Sequence, residues 1–428
     1  MVALTDHDLR TLDGQNGDGA ALAMKLVVGM AESLDAPNLI DVSSAHITGC
    51  FYNGQPSLDF AEKLAAAEAR VSVTTTLNST APPACLFNNG CPDLLSRRYS
   101  SFSAECADGA RLMHLYTALG CRPTFTCAPY DLPSVPKRGD QIAWAESNAV
   151  MYANSVLGAR TNKYGEFIDI SAAITGRVPN FGLHRDENRH GSLLVEVLGA
   201  PEDRFELQVW CNLLGLAVGC AAKDRIPVLL GMPKATNSNS LRHFGAAASV
   251  VSGLAMFHAV GLTPEAASCE EAFGGAEPEE RVSIDAKQIA ILRNQLLGDR
   301  SAQLTAVCLG TPHMSLAEFR EVIDLLDGRK VSGNVRLIIT TNRHTLRKLR
   351  DEKLENLITQ AGAEIIVDTC SYIPGMLDEA PGLLMSNSSK WAFRAPNTLK
   401  VNACLGTTRE CIESAVRGRV SLDRHAWN

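Results

Sequence analysis

Thirteen cysteines are scattered at irregular spacings through 428 residues, an odd number in a chain whose first residues lack the basic and apolar runs of a signal peptide. That pattern argues against a disulfide framework and for reduced thiols, some of them metal ligands. Cys370, in Asp368-Thr369-Cys370, and His313, in Gly310-Thr311-Pro312-His313, each follow an apolar, strand-like run. A second chemistry-bearing stretch covers residues 120–190, rich in Gly, Pro, Thr, Asn, Arg and His. Polar loops this dense in functional groups build sites more often than cores. This one holds Cys121, Cys127, the run Trp144-Ala145-Glu146-Ser147-Asn148 and the run Asn154–Asn162. A lone cysteine is more often a small buried hydrophobe, and Cys211, Cys220, Cys404 and Cys411, in apolar or helical surroundings, are read that way.

Positioning such groups requires a scaffold, and the chain punctuates as α/β. Helices are expected over 20–34, 58–69 and 104–119, with strands at 39–42 and 71–76 and polar loops at 43–54 and 78–103. The 78–103 loop includes Cys85 and Cys91 and looks irregular. An apolar run at 207–222 precedes a strand at 226–230 and a small-residue helix at 246–260. The last third alternates most clearly: strands at 305–309, 335–341 and 365–367 with helices at 315–326 and 345–361. Ser315 and Glu318 form a capping box at the start of the 315–326 helix. Strand–helix–strand alternation with short loops predicts parallel sheets with crossover helices, whose ligands sit beyond the strands' carboxyl ends. The domain reading is N-terminal α/β lobes over 1–263, a linker at 264–285 and a C-terminal α/β lobe over 286–428.

Bulk properties narrow the function classes. Hydrophobic residues make up 46% and charged residues 20%, the balance of a globular protein with a large core. The formal charge is −7 and no basic stripe stands out, so no nucleic-acid partner is expected. No run of 18 apolar residues occurs, so no membrane span is expected, and a cytoplasmic location follows as the default.

The segments AHITGC, TTLN, TCAPY, WAESNAV, NSVLGARTN, AAITGRVPNFGLH, GTPHMS, DTC and SNSSKWA occur in the order of the large domain of the aconitase X family. They span roughly residues 40–400, and the chain closely resembles that family throughout. The Ser-Cys-Thr-Asn segment of ordinary aconitases is absent. The resemblance implies a multi-lobed, aconitase-like α/β architecture of parallel sheets flanked by helices. It also implies a hydro-lyase with an iron–sulfur cluster, two-iron two-sulfur or larger, that dehydrates a small hydroxy acid.

The same resemblance implies Cys127 and Cys370 as cluster ligands. Members that dehydrate 5-phosphomevalonate carry a cysteine in a Gly-Cys-Pro-His turn where this chain has Thr311. Cys50, within AHITGCFYNG, instead resembles the type that dehydrates cis-3-hydroxy-L-proline to pyrroline-2-carboxylate. Cys50 is therefore the expected third ligand, with Cys308 as the alternative. Glu146 and Lys390 are implied as catalytic groups, and Asn78, Ser79, Ser147 and Ser389 as substrate contacts. His46 and His313 are candidate proton relays, and Arg160 and Asn162 either touch substrate or organise their loop. The family's smaller swivelling domain has no room after SNSSKWA, so a separate small subunit or domain is an expected partner. The runner-up readings are a 5-phosphomevalonate dehydratase large subunit and a catalytically inactive binding or scaffold subunit.

Overall fold

The computed structural model describes residues 2–80, 103–373, 377 and 382–423, with only the backbone of residues 103–106. Most of the expected 78–103 loop, including Cys85 and Cys91, lies outside the described residues. The chain forms two compact units, Met1–His190 and Gly191–Asn428. The division thus differs from the domain reading, which placed a linker at 264–285. That stretch instead holds the strand Glu280–Ile284, which pairs in parallel with Leu193–Val197 and so belongs inside a sheet.

In the first unit, β1 (Leu39–Asp41) pairs antiparallel with β5 (Arg177–Pro179). Three short strands, β2 (Ser44–Ile47), β3 (Thr74–Leu77) and β4 (Ala143–Trp144), form a parallel sheet in the order β3-β2-β4. Their core combines Ile47, Leu58, Leu64, Leu77, Leu112 and Tyr116, so helices 55–66 and 103–118 cover the sheet. Because all three strands run the same way, the chain leaving each emerges at one edge. That edge receives Thr48-Gly49-Cys50, Asn78-Ser79 and Ala145-Glu146.

The second unit holds two wholly parallel sheets. One has the order β8-β7-β6-β9, from β6 (Leu193–Val197), β7 (Pro227–Leu230), β8 (His258–Ala259) and β9 (Glu280–Ile284). The expected helix at 246–260 is corrected to Ser238–Val251, ending before Gly253 and leaving β8 to extend the sheet. This helix packs on Arg204–Ala222 so closely that a Cβ on Gly215 would meet the Phe244 carbonyl oxygen at 2.3 Å. Among the described residues, Arg204–Ala222 is the one helix long and apolar enough to cross a membrane, and 78% of its apolar 18-residue stretch is buried within the protein.

The other sheet comprises β10 (Leu304–Leu309), β11 (Arg336–Thr341), β12 (Ala363–Val367), β13 (Leu383–Ser386) and β14 (Asn402–Leu405). Near-continuous Leu, Ile and Val suit strands buried on both faces. The order is β12-β11-β10-β13-β14, so the chain builds outward from β10 on one side and then restarts with β13 on the other. Such a reversal opens a crevice at the carboxyl ends of the two adjoining strands, the usual ligand position in open α/β sheets. The loops beyond β10 and β13 are Gly310–His313 and Asn387–Lys390. The capping box of Ser315 and Glu318 is present as expected.

Candidate active site

The first unit contributes a buried polar network at its sheet edge. Glu146, just after β4, caps the short helix Ser147–Tyr152. Its Oε2 accepts from Asn78 Nδ2 at 3.1 Å, and its Oε1 accepts from Asn148 Nδ2 at 3.0 Å and Ser147 Oγ at 3.4 Å. An ionised carboxylate is acceptor-only, so these donors complete the charged form. Asn78 Oδ1 in turn accepts from the Ser79 amide at 2.7 Å. Four expected site residues, Asn78, Ser79, Glu146 and Ser147, therefore meet in one cluster.

Cys127 enters the same network through its backbone, because Asn148 Nδ2 donates to the Cys127 carbonyl at 2.8 Å. His46, on β2, is fully buried with Nδ1 2.8 Å from Thr76 Oγ1. Burial lowers its pKa to about 4, although the Glu146 carboxylate pulls the other way. It is a neutral imidazole at ordinary pH, which suits a packing and hydrogen-bonding role.

Cys50 sits deeper. Its thiol donates to the carbonyls of Ile47 at 3.5 Å and Asn78 at 3.4 Å, within the core of the first unit. Burial, and then the Asp169 carboxylate, push its pKa well above the usual thiol value. Asp169 fixes this turn by accepting from the amides of Thr48 and Gly49 at 2.8 and 3.0 Å. In the chain by itself, these surroundings favour a thiol at Cys50 over a thiolate.

Arg160 and Asn162 organise the loop. Arg160 pairs with Asp186, and Asn162 Nδ2 donates to the Phe181 carbonyl while its Oδ1 accepts from the Leu183 amide. Buried Arg189 donates to the carbonyls of Asn154, Ala159 and Leu183, tying down the NSVLGARTN run.

In the second unit, β11 holds the turn that follows β10. Thr340 Oγ1 donates to the Gly310 carbonyl at 2.8 Å, and Thr341 Oγ1 donates to the Met314 carbonyl at 2.7 Å. His313 Nε2 lies 2.9 Å from the Thr369 carbonyl, so Nε2 donates to it. A ring nitrogen of His313 and Cys370 Sγ are within 4.8 Å of each other, and both residues are buried. Asp368 is gripped by Arg343, with Nη2 to Oδ2 at 2.7 Å. Burial raises the Asp368 pKa even against that guanidinium.

Cys127 and Cys370 share a local device. Each comes two residues after a buried, non-glycine residue in the left-handed region, Phe125 at φ 44° and Asp368 at φ 71°. Strain of that kind, about 1–3 kcal/mol per residue, persists where the surroundings over-determine the backbone, and it clusters at functional sites.

Ser389 is committed to structure: its amide donates to Asn212 Oδ1 at 3.2 Å and its hydroxyl to the Asn212 carbonyl at 3.1 Å. Lys390 follows at the start of helix 389–398 and is buried. Cys308 lies within β10, fully enclosed, with its pKa raised to about 12 by burial. Of the cysteines read as buried hydrophobes, Cys211, Cys404 and Cys411 are buried and Cys220 is exposed on its helix.

Sequence reasoning gave no role to Asn148, Tyr130, Asn212 or Arg343. Asn148 lies inside the WAESNAV run, and its place two residues after a helix-capping Glu was the available signal. The others become legible only through contacts distant in sequence.

Aconitase X domain profiles match three consecutive stretches: the first domain over residues 1–187, the second over 191–294 and the third over 304–417. The cis-3-hydroxy-L-proline dehydratase of Pseudomonas aeruginosa is 37% identical over 99% of this chain and 72% of its own length. The chain belongs to the aconitase X family. A second cis-3-hydroxy-L-proline dehydratase, from Hypocrea jecorina, is also 37% identical, over 97% of this chain and 69% of its own. The phosphomevalonate dehydratase large subunit of Methanocaldococcus jannaschii is 30% identical, over 97% of this chain and 100% of its own. The crystal structure of Thermococcus kodakaraensis aconitase X in its holo form superposes with a TM-score of 0.83 at 29% identity, covering 97% of this chain and 100% of that one. The junction between the first two aconitase X domains thus falls where the two compact units divide.

Membership in this family implies an iron–sulfur cluster, and the donors present suit one. Cys127 and Cys370 are buried thiols on conformationally fixed loops, and an imidazole accompanies Cys370. Sulfur, with nitrogen in some centres, is the donor set these clusters use.

Proposed function

We propose that this protein is an iron–sulfur dehydratase acting on cis-3-hydroxy-L-proline and yielding pyrroline-2-carboxylate. The supporting observation is the 37% identity to two dehydratases of that name, against 29% to 33% to phosphomevalonate dehydratase large subunits. Thr311 in the turn after β10 and Cys50 after β2 agree with that branch.

Cys127 and Cys370 would hold the cluster, with Cys50 as the third ligand. When bound, the cluster supplies a Lewis acid for the departing hydroxyl. Glu146, ionised and held by Asn78 and Asn148, accepts the proton from the ring carbon that bears the substrate carboxylate. The electrons of that C–H bond become the new C=C bond as the neighbouring C–O bond breaks, and water leaves. The resulting cyclic enamine tautomerises to the imine. Lys390 holds the substrate carboxylate, and Asn78, Ser79, Ser147 and Ser389 shape the binding site. His313 favours a second ligand set, in which its Nδ1 replaces Cys50, because it already accompanies Cys370.

Full coverage of a relative named as a large subunit supports a separate small partner as a requirement for activity. The deciding experiment assays the anaerobically reconstituted protein, alone and with that partner, on cis-3-hydroxy-L-proline and on 5-phosphomevalonate. Turnover of the phosphorylated compound alone would overturn the substrate assignment.

A further inference from the structure

Asn148 touches two parts of the candidate site with one buried amide. Its Nδ2 donates to Glu146 Oε1 at 3.0 Å and to the Cys127 carbonyl at 2.8 Å, while its Oδ1 accepts from Tyr130 Oη at 2.6 Å. Only one amide orientation serves all three partners. Flipped, the amide oxygen would face a carboxylate and a carbonyl, two acceptors with no proton between them. The Glu146 carboxylate and the Cys127 carbonyl therefore fix which way the amide points, and the Tyr130 hydroxyl braces it by donating to the oxygen on the other side. Tyr130 is itself held by stacking on Tyr152, with ring centroids 4.1 Å apart. Asn148 and Tyr130 are both buried, so each bond is shielded from water.

We propose that Asn148, braced by Tyr130, is a positioning residue that sets the Glu146 carboxylate and the Cys127 loop together. The inference rests on the roles given above to Glu146 and Cys127. Two protons of one rigid planar group have fixed separation, so a shift of the Cys127 backbone is transmitted to the carboxylate and the reverse. The amide also supplies positive dipole to Oε1, which favours the ionised, proton-accepting form. A merely structural asparagine would stabilise the fold without tying proton transfer to cluster retention.

Three variants separate these cases: Asn148→Asp, Asn148→Ala and Tyr130→Phe. Asn148→Asp keeps the shape but turns an acceptor toward Glu146 and the Cys127 carbonyl. Each protein is reconstituted anaerobically with iron and sulfide, then followed for loss of visible absorption under a chelator. With its partner present, the dependence of kcat/KM on pH is measured with cis-3-hydroxy-L-proline.

In Asn148→Asp the acidic limb should move upward by about one pH unit or more, so that kcat/KM on the acidic side of the limb falls by about tenfold and recovers at higher pH. Both Asn148 variants should release iron faster than the wild type, and Tyr130→Phe should shift both readouts the same way by less. Lower melting temperatures with unchanged pH profiles and unchanged iron release would overturn the proposal. If the Asn148 variants fail to fold, Tyr130→Phe, which removes one hydroxyl, decides by the same readouts. If the wild type does not act on hydroxyproline, the substrate assignment falls, and iron release alone decides: equal release in all four proteins overturns the positioning role.

Discussion

Replacing Gly310 by alanine should damage the turn that carries His313 far more than a generic glycine substitution would. Gly310 has φ 95°, and a Cβ there would stand 2.1 Å from the Thr340 carbonyl oxygen and 2.9 Å from Thr340 Oγ1. Left-handed backbone costs an L-residue about 1–2 kcal/mol. Relieving the collision requires roughly 1 Å or more of movement to reach a normal contact. The turn is held to β11 by the Thr340 hydroxyl on the Gly310 carbonyl at 2.8 Å and the Met314 amide on the Thr340 carbonyl at 2.9 Å. Losing both adds about 2 kcal/mol, for a total of about 3–4 kcal/mol.

Gly328 is the control, because it has φ 72° but nothing within 4 Å of its would-be Cβ. Its alanine variant should lose only the backbone cost of about 1–2 kcal/mol. For a unit of this size the melting transition should fall by about 8–12 °C for Gly310→Ala and about 3–6 °C for Gly328→Ala. Scanning calorimetry on both variants tests the argument. Equal shifts would refute it, since the two sites differ chiefly in crowding. Gly310→Ala should also retain less iron after reconstitution, because His313 and the Thr369 carbonyl would no longer meet.

Three further outcomes are expected. Glu318→Gln should cost about 3–5 kcal/mol in chemical denaturation, because it removes the charge facing buried Arg242 and His243. Although burial alone pushes the Glu318 carboxyl up, Arg242 and then His243 hold it well below the usual carboxylate range. Asp169 behaves oppositely: burial raises its carboxyl from 3.8 to about 6. The folded state then binds that proton more tightly than the unfolded chain, so its contribution is fully present below about pH 4 and declines by about 3 kcal/mol as pH rises through 6. Unfolding measured from pH 4 to 7 should show this decline in the wild type and not in Asp169→Asn. Finally, Cys127→Ser and Cys370→Ser should abolish iron binding, measured as iron per chain after reconstitution. Cys50→Ser tests the third ligand: full iron content there, with loss in His313→Ala, would transfer that role to His313.

Much of the second unit's C-terminal sheet was legible in the chain itself. Apolar β-branched runs marked β10, β11 and β12, and Ser315 with Glu318 marked a helix start, because both signals act over a few residues. The strands β6, β13 and β14 were missed. Each is short, and a buried parallel strand offers no alternation to distinguish it from other apolar runs. The linker reading at 264–285 failed for a related reason: Glu280–Ile284 is a polar sequence that becomes a strand only by pairing with β6.

The site divides along the same line. The sequence by itself determined the family and the stretches carrying Cys127, Glu146, Cys370 and Lys390, since motifs preserve residue type and order. Tertiary structure decided which of these side chains interact. It joined Asn78 to Glu146 across 68 positions and set Ser389 against Asn212 across 177. It also gave Cys50 carbonyl partners and an acidic neighbour that no motif announces. Charge state, hydrogen-bond direction and burial depend on what the fold brings close, and for these residues the neighbours come from other strands and helices.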